Sequence, residues 1–283
     1  MQWNFYLSGI LYGKFYVKDN DIFVEKLDAA KGIWYPKETF TEESDDFFKK
    51  LCSRSLLDFF KNKKEYEEKI SEGADEFTAS SGETFSNRRN EVYFQRQKKF
   101  PKDLFYDEDG IYAVLMSGRD FAAVLVKNGE EDRTILSRWK KAFPEPPAAV
   151  NFLGTFFVDT RDGEKLATDV YLPKGEAYKE QKVPSVLIRT PYGKGERPEQ
   201  YYRFVQRGYA VVIQDTRGRE DSTGEWLPNY YEVEDGDDTL NWIADQKWSD
   251  GQVSMTGGSY LGYVQWSAAA SGNPHLKAIL SSV

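Results

Sequence analysis

The stretch Val253-Ser-Met-Thr-Gly-Gly-Ser-Tyr-Leu-Gly262 runs a short apolar strand into a helical segment with only a glycine-flanked serine at the junction. That junction leaves the backbone few options. A chain that passes from strand to helix within two or three residues needs small side chains to relieve crowding, supplied by Gly257, Gly258 and Gly262. The residue at the hinge, Ser259, is then held in a strained conformation with its hydroxyl presented outward. The helix behind it directs its first amide, that of Tyr260, toward any negative charge that forms beside the serine. The spacing is G-x-S-x-x-G rather than G-x-S-x-G. By itself it fits either a reactive serine or a serine in a glycine-rich turn.

The surrounding pattern predicts the layer in which this junction sits. Phe152–Asp159 and Leu166–Leu172, joined around Asp162-Gly163, read as an antiparallel pair. Apolar runs then alternate with helical stretches: strands over Val183–Arg189, Ala210–Gln214, Gln252–Thr256 and Ala278–Val283, and helices over Glu199–Arg207, Asp237–Asp245 and Leu261–Ala270. Such alternation predicts an α/β fold, a mostly parallel sheet covered by helices on both faces, with its reactive groups at the carboxyl ends of the strands. Upstream, three prolines in four positions of Phe143-Pro-Glu-Pro-Pro-Ala-Ala-Val150 can sustain neither helix nor central strand, so residues 143–150 read as a linker. It separates an accessory segment, residues 1–142, from residues 151–283.

The accessory segment reads as α+β. Leu11–Val17 and Ile22–Leu27 alternate apolar and polar residues around Lys18-Asp-Asn-Asp21, a hairpin pattern, and Ile111–Met116 with Phe121–Val126 repeats it around Ser117-Gly-Arg-Asp120. From Asp45 to Ile70, apolar residues at Phe48, Leu51, Cys52, Leu56, Phe59 and Phe60 recur at helical spacing, and the charged run 61–69 reads as a solvated helix face. Cys52 is the only cysteine, which excludes an internal disulfide and a thiolate metal cluster, and its apolar company predicts burial. The role of this segment is not legible.

The net charge of −8 opposes attraction to phosphate backbones and anionic lipid, so neither nucleic acid nor membrane is an expected partner. The first residues lack a basic leader followed by a long apolar run, and no stretch reaches the roughly 18 apolar residues that span a bilayer. A cytoplasmic location is the expectation.

Several blocks occur in one order: Arg189-Thr-Pro-Tyr-Gly193, Gln214-Asp-Thr-Arg-Gly-Arg219, Gly224-Glu-Trp226, the pair Trp242 and Trp248, and Gly257–Gly262. Together they resemble the CocE/NonD-type acyl hydrolases and X-prolyl dipeptidyl aminopeptidases (peptidase S15) of the α/β-hydrolase superfamily. The resemblance runs from about Gly154 to Val283 and leaves the first segment uncovered. It implies an α/β-hydrolase sheet with covering helices, C-terminally incomplete and preceded by a smaller α+β segment. It also implies a serine hydrolase for a small ester, amide or peptide; no cofactor and no metal are expected. Ser259 would be the nucleophile, with the Tyr192 hydroxyl and the Tyr260 amide as oxyanion donors. Tyr192 also fits a turn aromatic packed on Pro191, and Trp226 fits an acyl pocket or core packing equally. Glu220 stands where the family tends to have a small residue.

Other polar residues read as structural. Asp215 and Arg217 suggest an ion pair anchoring the Gly218 turn. The acids Glu232, Glu234, Asp235, Asp237 and Asp238 suit a helix start, where the dipole favours negative charge, better than a metal site. The single histidine, His275, lies in the loop before the last strand, whereas the fold's catalytic histidine follows the final strand. The expectation is therefore a chain that carries the nucleophile but not the acid and histidine of a triad. It would be inactive alone and completed by the missing part of the domain or by a partner chain. An uncovered strand edge there would also suit a homo-oligomer. The competing expectation is a non-catalytic interaction or assembly module that keeps the front half of the fold.

Overall fold

The computed structural model describes residues 1–19, 21–89, 91–118, 121–142 and 147–282. The chain falls into two compact units. The first comprises Met1–Asp28 and Ile33–Glu145, and the second comprises Ala29–Gly32 and Pro146–Val283.

The first unit is α+β and about as long as the second. Eleven strands among the described residues form one antiparallel sheet, with Gln2–Leu7 in its interior between Ile10–Lys18 and Ala122–Lys127. The two expected hairpins are present as Ile10–Lys18 with Asp21–Asp28 and Gly110–Ser117 with Ala122–Lys127. Asn20, Arg119 and Asp120, in their turns, lie outside the described residues.

The helix expected from Asp45 to Ile70 is two helices, Glu42–Cys52 and Leu56–Ser71. The break has an identifiable chemistry. Ser53 takes a left-handed conformation with φ 54°, which ends the first helix. Ser55 caps the second through Asp58 N, and the buried Asp45 carboxylate accepts from Ser55 Oγ (2.6 Å), Leu56 N (2.9 Å) and Leu57 N (3.2 Å). The spacing of apolar residues survives the break because both helices press one face on the sheet. Phe48 meets Phe5 and Phe15 at centroid distances of 5.2 and 5.1 Å, and Phe59 meets Trp3 at 5.7 Å. Cys52 lies in this core, and burial pushes its thiol up to about 12.

The second unit holds the sheet of interest. Its strands are β1 (Ala149–Asp159), β2 (Lys165–Lys174), β3 (Val183–Thr190), β4 (Ala210–Asp215), β5 (Ser249–Gly258) and β6 (Leu276–Ser282). Ala149 and Val150, read from sequence as linker, already belong to β1, while residues 143–146 lie outside the described set. The strand order is β1-β2-β4-β3-β5-β6. β1 and β2 form the expected antiparallel pair, β2 meets β4 antiparallel, and β3, β4, β5 and β6 run parallel.

Helices α1 (Glu232–Ala244) and α2 (Tyr260–Ala270) pack Leu240, Ile243, Val264 and Ala268 on Leu187, Val212, Val253 and Met255 of the strands. The alternate strand residues Val186, Ile188, Val211 and Ile213 are buried too, which is why these strands read as unbroken apolar runs. The helix expected over Glu199–Arg207 is shorter, a 3-10 turn Pro198–Tyr201 followed by one α turn, Tyr202–Val205. No helix among the described residues is long and apolar enough to cross a membrane.

Two outcomes check the first unit. Asp45→Ala, which strips three donors of their shared acceptor, should lower its stability in urea by about 1–3 kcal/mol. Cys52 should resist a thiol reagent at pH 8 in the native protein and react fully once unfolded.

Candidate active site

The junction foreseen between β5 and α2 is as tight as the sequence demands. Ser259 stands between Gly258, the last residue of β5, and Tyr260, the first of α2, at φ 58°, ψ −126°, and is exposed. This is a region that residues bearing a Cβ seldom occupy, and it stores about 1–3 kcal/mol of strain. The surrounding hydrogen bonds hold it there. Ser259 N donates to Ser282 O at 2.9 Å, while Ser259 O accepts from Gly262 N and Tyr263 N. Glycine is obligatory at two flanking positions. A Cβ on Gly257 would lie 2.5 Å from Leu261 Cβ, and one on Gly262 would lie 2.9 Å from Ser282 O. Buried Gln265, on α2, bonds Gly257 O at 3.0 Å and so ties the helix back to the strand end.

Parallel pairing brings the second block alongside. The register that faces Leu187 with Met255 makes β3 and β5 neighbours running in the same direction. Tyr192, just past β3, and Ser259, just past β5, therefore leave the same edge of the sheet. Tyr192 is 57% exposed. Its loop is pinned on both sides. Arg219 Nε donates to Pro191 O at 2.9 Å, and Asp215 accepts from Lys194 N (2.6 Å) and Lys194 Nζ (3.1 Å). Burial alone would lower the Lys194 ammonium, but its hydrogen bonds to Asp221 and Asp215 raise it, so it stays charged. Trp226 is half-buried with its ring 5.4 Å from that of Tyr260 and the Arg219 guanidinium 5.5 Å above it, so it lies against the residue that follows Ser259.

Beneath this edge lies a buried charge network that corrects the expected pairing of Asp215 with Arg217. Asp215 is paired with Lys194, and Arg217 reaches elsewhere, to Asp235 Oδ1 (2.5 Å) and Asp162 Oδ2 (2.6 Å). Arg189, with no exposed surface, places Nη1 2.8 Å from Glu232 Oε2 and donates through Nε to Gln214 Oε1 at 2.9 Å. α1 thus begins at Glu232, five residues before the expected start at Asp237. Its first turn buries paired acids instead of apolar residues, so apolar periodicity does not mark it. Farther along, Asp237 and Asp238 pair with Arg161. The acidic cluster is held by arginines as well as by the helix dipole, and among the described residues no group of acids, cysteines and histidines is placed to hold a metal ion.

His275 is remote from Ser259. Its Nδ1 sits 2.9 Å from Gly251 O, and its carbonyl accepts from Val253 N near the start of β5. At about 3.3 Å per residue, that is roughly 20 Å from the far end of the strand, where Ser259 stands.

A sheet ordered β1-β2-β4-β3-β5-β6, with a serine turn at the end of β5 and a helix behind it, is that of an α/β hydrolase. Comparison with known proteins narrows this. Residues 162–283 match the model of the X-Pro dipeptidyl-peptidase (S15) family. Over 132 residues it is 46% identical to the cocaine esterase of Rhodococcus sp. (strain MB1 Bresler), covering 44% of this chain and 22% of that protein. The chain thus spans about a fifth of the length of that relative. A CocE/NonD family hydrolase from Staphylococcus aureus aligns with 29% identity over 47% of this chain and 27% of its own, at a TM-score of 0.41.

The network has a measurable signature. Arg217→Met, which leaves Asp235 buried without its closest partner, should cost about 3–5 kcal/mol in urea unfolding at pH 7. Arg161→Met, at a half-exposed pair, should cost no more than about 1 kcal/mol in the same measurement.

Proposed function

We propose that this chain supplies the nucleophile and both oxyanion donors of a serine hydrolase that cleaves a small ester, amide or peptide through an acyl-enzyme on Ser259. One observation carries the reading: an exposed serine held at φ 58°, ψ −126° at the tight junction of a parallel strand and a helix. In the proposed reaction Ser259 Oγ bonds to the carbonyl carbon and gives its proton to a base. The carbonyl oxygen, now negative, is met by the Tyr192 hydroxyl and the Tyr260 amide. Collapse expels the leaving group, which takes up that proton, and water then releases the acyl group by the same steps.

A serine hydroxyl needs a base, and the only histidine in the sequence stands at the wrong end of β5. The base and its acid partner are therefore proposed to come from outside residues 1–283, in the same or another polypeptide. Trp226, stacked beside Tyr260, is proposed to line the acyl side of the site. The remoteness of His275 also favours a second reading, a non-catalytic interaction module that keeps the fold without the chemistry.

Hydrolysis of a nitrophenyl ester and labelling by a fluorophosphonate, both in the natural protein that carries these residues, separate the two. The enzyme reading expects label on Ser259, no turnover by Ser259→Ala, and a loss of roughly 10²–10³ in kcat for Tyr192→Phe. Absence of both turnover and label would leave the interaction module standing, and label on another residue would sink the assignment of Ser259.

A further inference from the structure

Tyr260 follows the proposed nucleophile and opens α2, so its amide lies among the helix-start N–H groups that the helix itself leaves without partners. At such a position the direction of the N–H depends on the backbone angles of one residue, and nothing within the helix fixes the side chain attached to it. In this structure the side chain is fixed from outside the helix. Tyr260 Oη donates to Glu232 Oε1 at 2.6 Å and accepts from Asn229 N at 3.1 Å. The ring also packs on Trp226 at 5.4 Å and on Tyr263 at 5.9 Å.

Glu232 is itself immobilised. It is 4% exposed, its other carboxylate oxygen lies 2.8 Å from Arg189 Nη1, and the same nitrogen bonds its backbone carbonyl at 3.2 Å. Arg189 is fully buried near the end of β3, the strand whose exit carries Tyr192. A continuous set of buried and half-buried polar contacts therefore joins the strand that leads to one proposed oxyanion donor to the residue that bears the other. A carboxylate this buried is costly to desolvate, and neither the fold of α1 nor its dipole needs it to face a tyrosine.

We propose that Glu232 is a positioning residue for the reaction. Resting on the reading of Ser259 as nucleophile, it grips the Tyr260 hydroxyl and thereby sets the direction of the Tyr260 amide that receives the oxyanion. An oxyanion donor works only within about 2.7–3.1 Å of the charge, and a misplacement of about 1 Å can cost 10²-fold. Burial, and after it the hydrogen bond to Glu232, raise the Tyr260 phenol, so it remains the donor in this contact through neutral pH.

The test compares Tyr260→Phe, Glu232→Gln and Ser259→Ala in the natural protein, with kcat, KM, melting temperature and the affinity of a boronic acid inhibitor measured for each. Tyr260→Phe keeps the ring and the amide and loses only the grip. It should lower kcat between about tenfold and about 10²-fold, leave KM within about twofold, and weaken the boronic acid by the same factor as kcat/KM. Glu232→Gln should shift the same quantities in the same direction. Tyr260→Phe preserves the buried ion pair, so it decides between the outcomes by itself if Glu232→Gln does not fold. A merely structural contact would lower the melting temperature and leave kcat per folded molecule and inhibitor affinity untouched, which would overturn the proposal. Full turnover by Ser259→Ala would instead remove the nucleophile reading on which it rests, and a dead Ser259→Ala beside a fully active Tyr260→Phe would refute the role of Glu232 alone.

Discussion

The second unit is organised around two arginines that have no access to water to speak of. Arg189 enters from a central strand and Arg217 from the loop after the next one, and both must find acids inside the protein. The start of α1 supplies them as Glu232 and Asp235, and this obligation fixes where that helix begins and how it lies on the sheet. Asp162, in the turn between β1 and β2, is drawn onto Arg217 by the same need, and the hydrogen bonds from that guanidinium hold its carboxyl well below the usual carboxylate range. Charge pairing thus registers a turn, a helix and a strand end against one another in a region where hydrophobic contact, being non-directional, would tolerate sliding.

Such a foundation suits a site made of loop ends. Tyr192, Trp226 and Ser259 all stand on connections rather than within regular elements, and connections are usually the mobile part of a fold. Here two of them are anchored by polar contacts to buried neighbours, the loop of Tyr192 through Lys194 and Asp215 and the elbow through Gln265, while Trp226 packs on Tyr260, which Glu232 holds.

The alternation of apolar runs and helical stretches after residue 151 was enough to read the parallel sheet, because strands buried on both faces are apolar throughout. The turn at Ser259 was equally legible, since glycines are needed where the backbone approaches within a few ångströms of its neighbour. Hidden from such a reading were elements whose inward positions are polar. The start of α1 buries Glu232 and Asp235. In the first unit, strands such as Thr84–Arg89, Val92–Gln95 and Lys102–Asp107 were not foreseen, because Ser86 and Gln95 face inward and Lys102 pairs with Glu83. The helix break at residues 53–55 was hidden for a different reason. A cap in which Asp45, ten residues upstream, is the acceptor leaves no trace in apolar spacing. Arg189 was the one available clue to the buried network: a charge inside an otherwise apolar strand demands a counter-charge, though a single sequence does not say which acid answers it.

The backbone at Ser259 sets folding against the proposed chemistry. Glycine would sit at φ 58°, ψ −126° without steric objection, so a population of these chains judged only on how well they fold would drift toward glycine there. On the proposed reading, the hydroxyl at that angle is what the strained backbone serves.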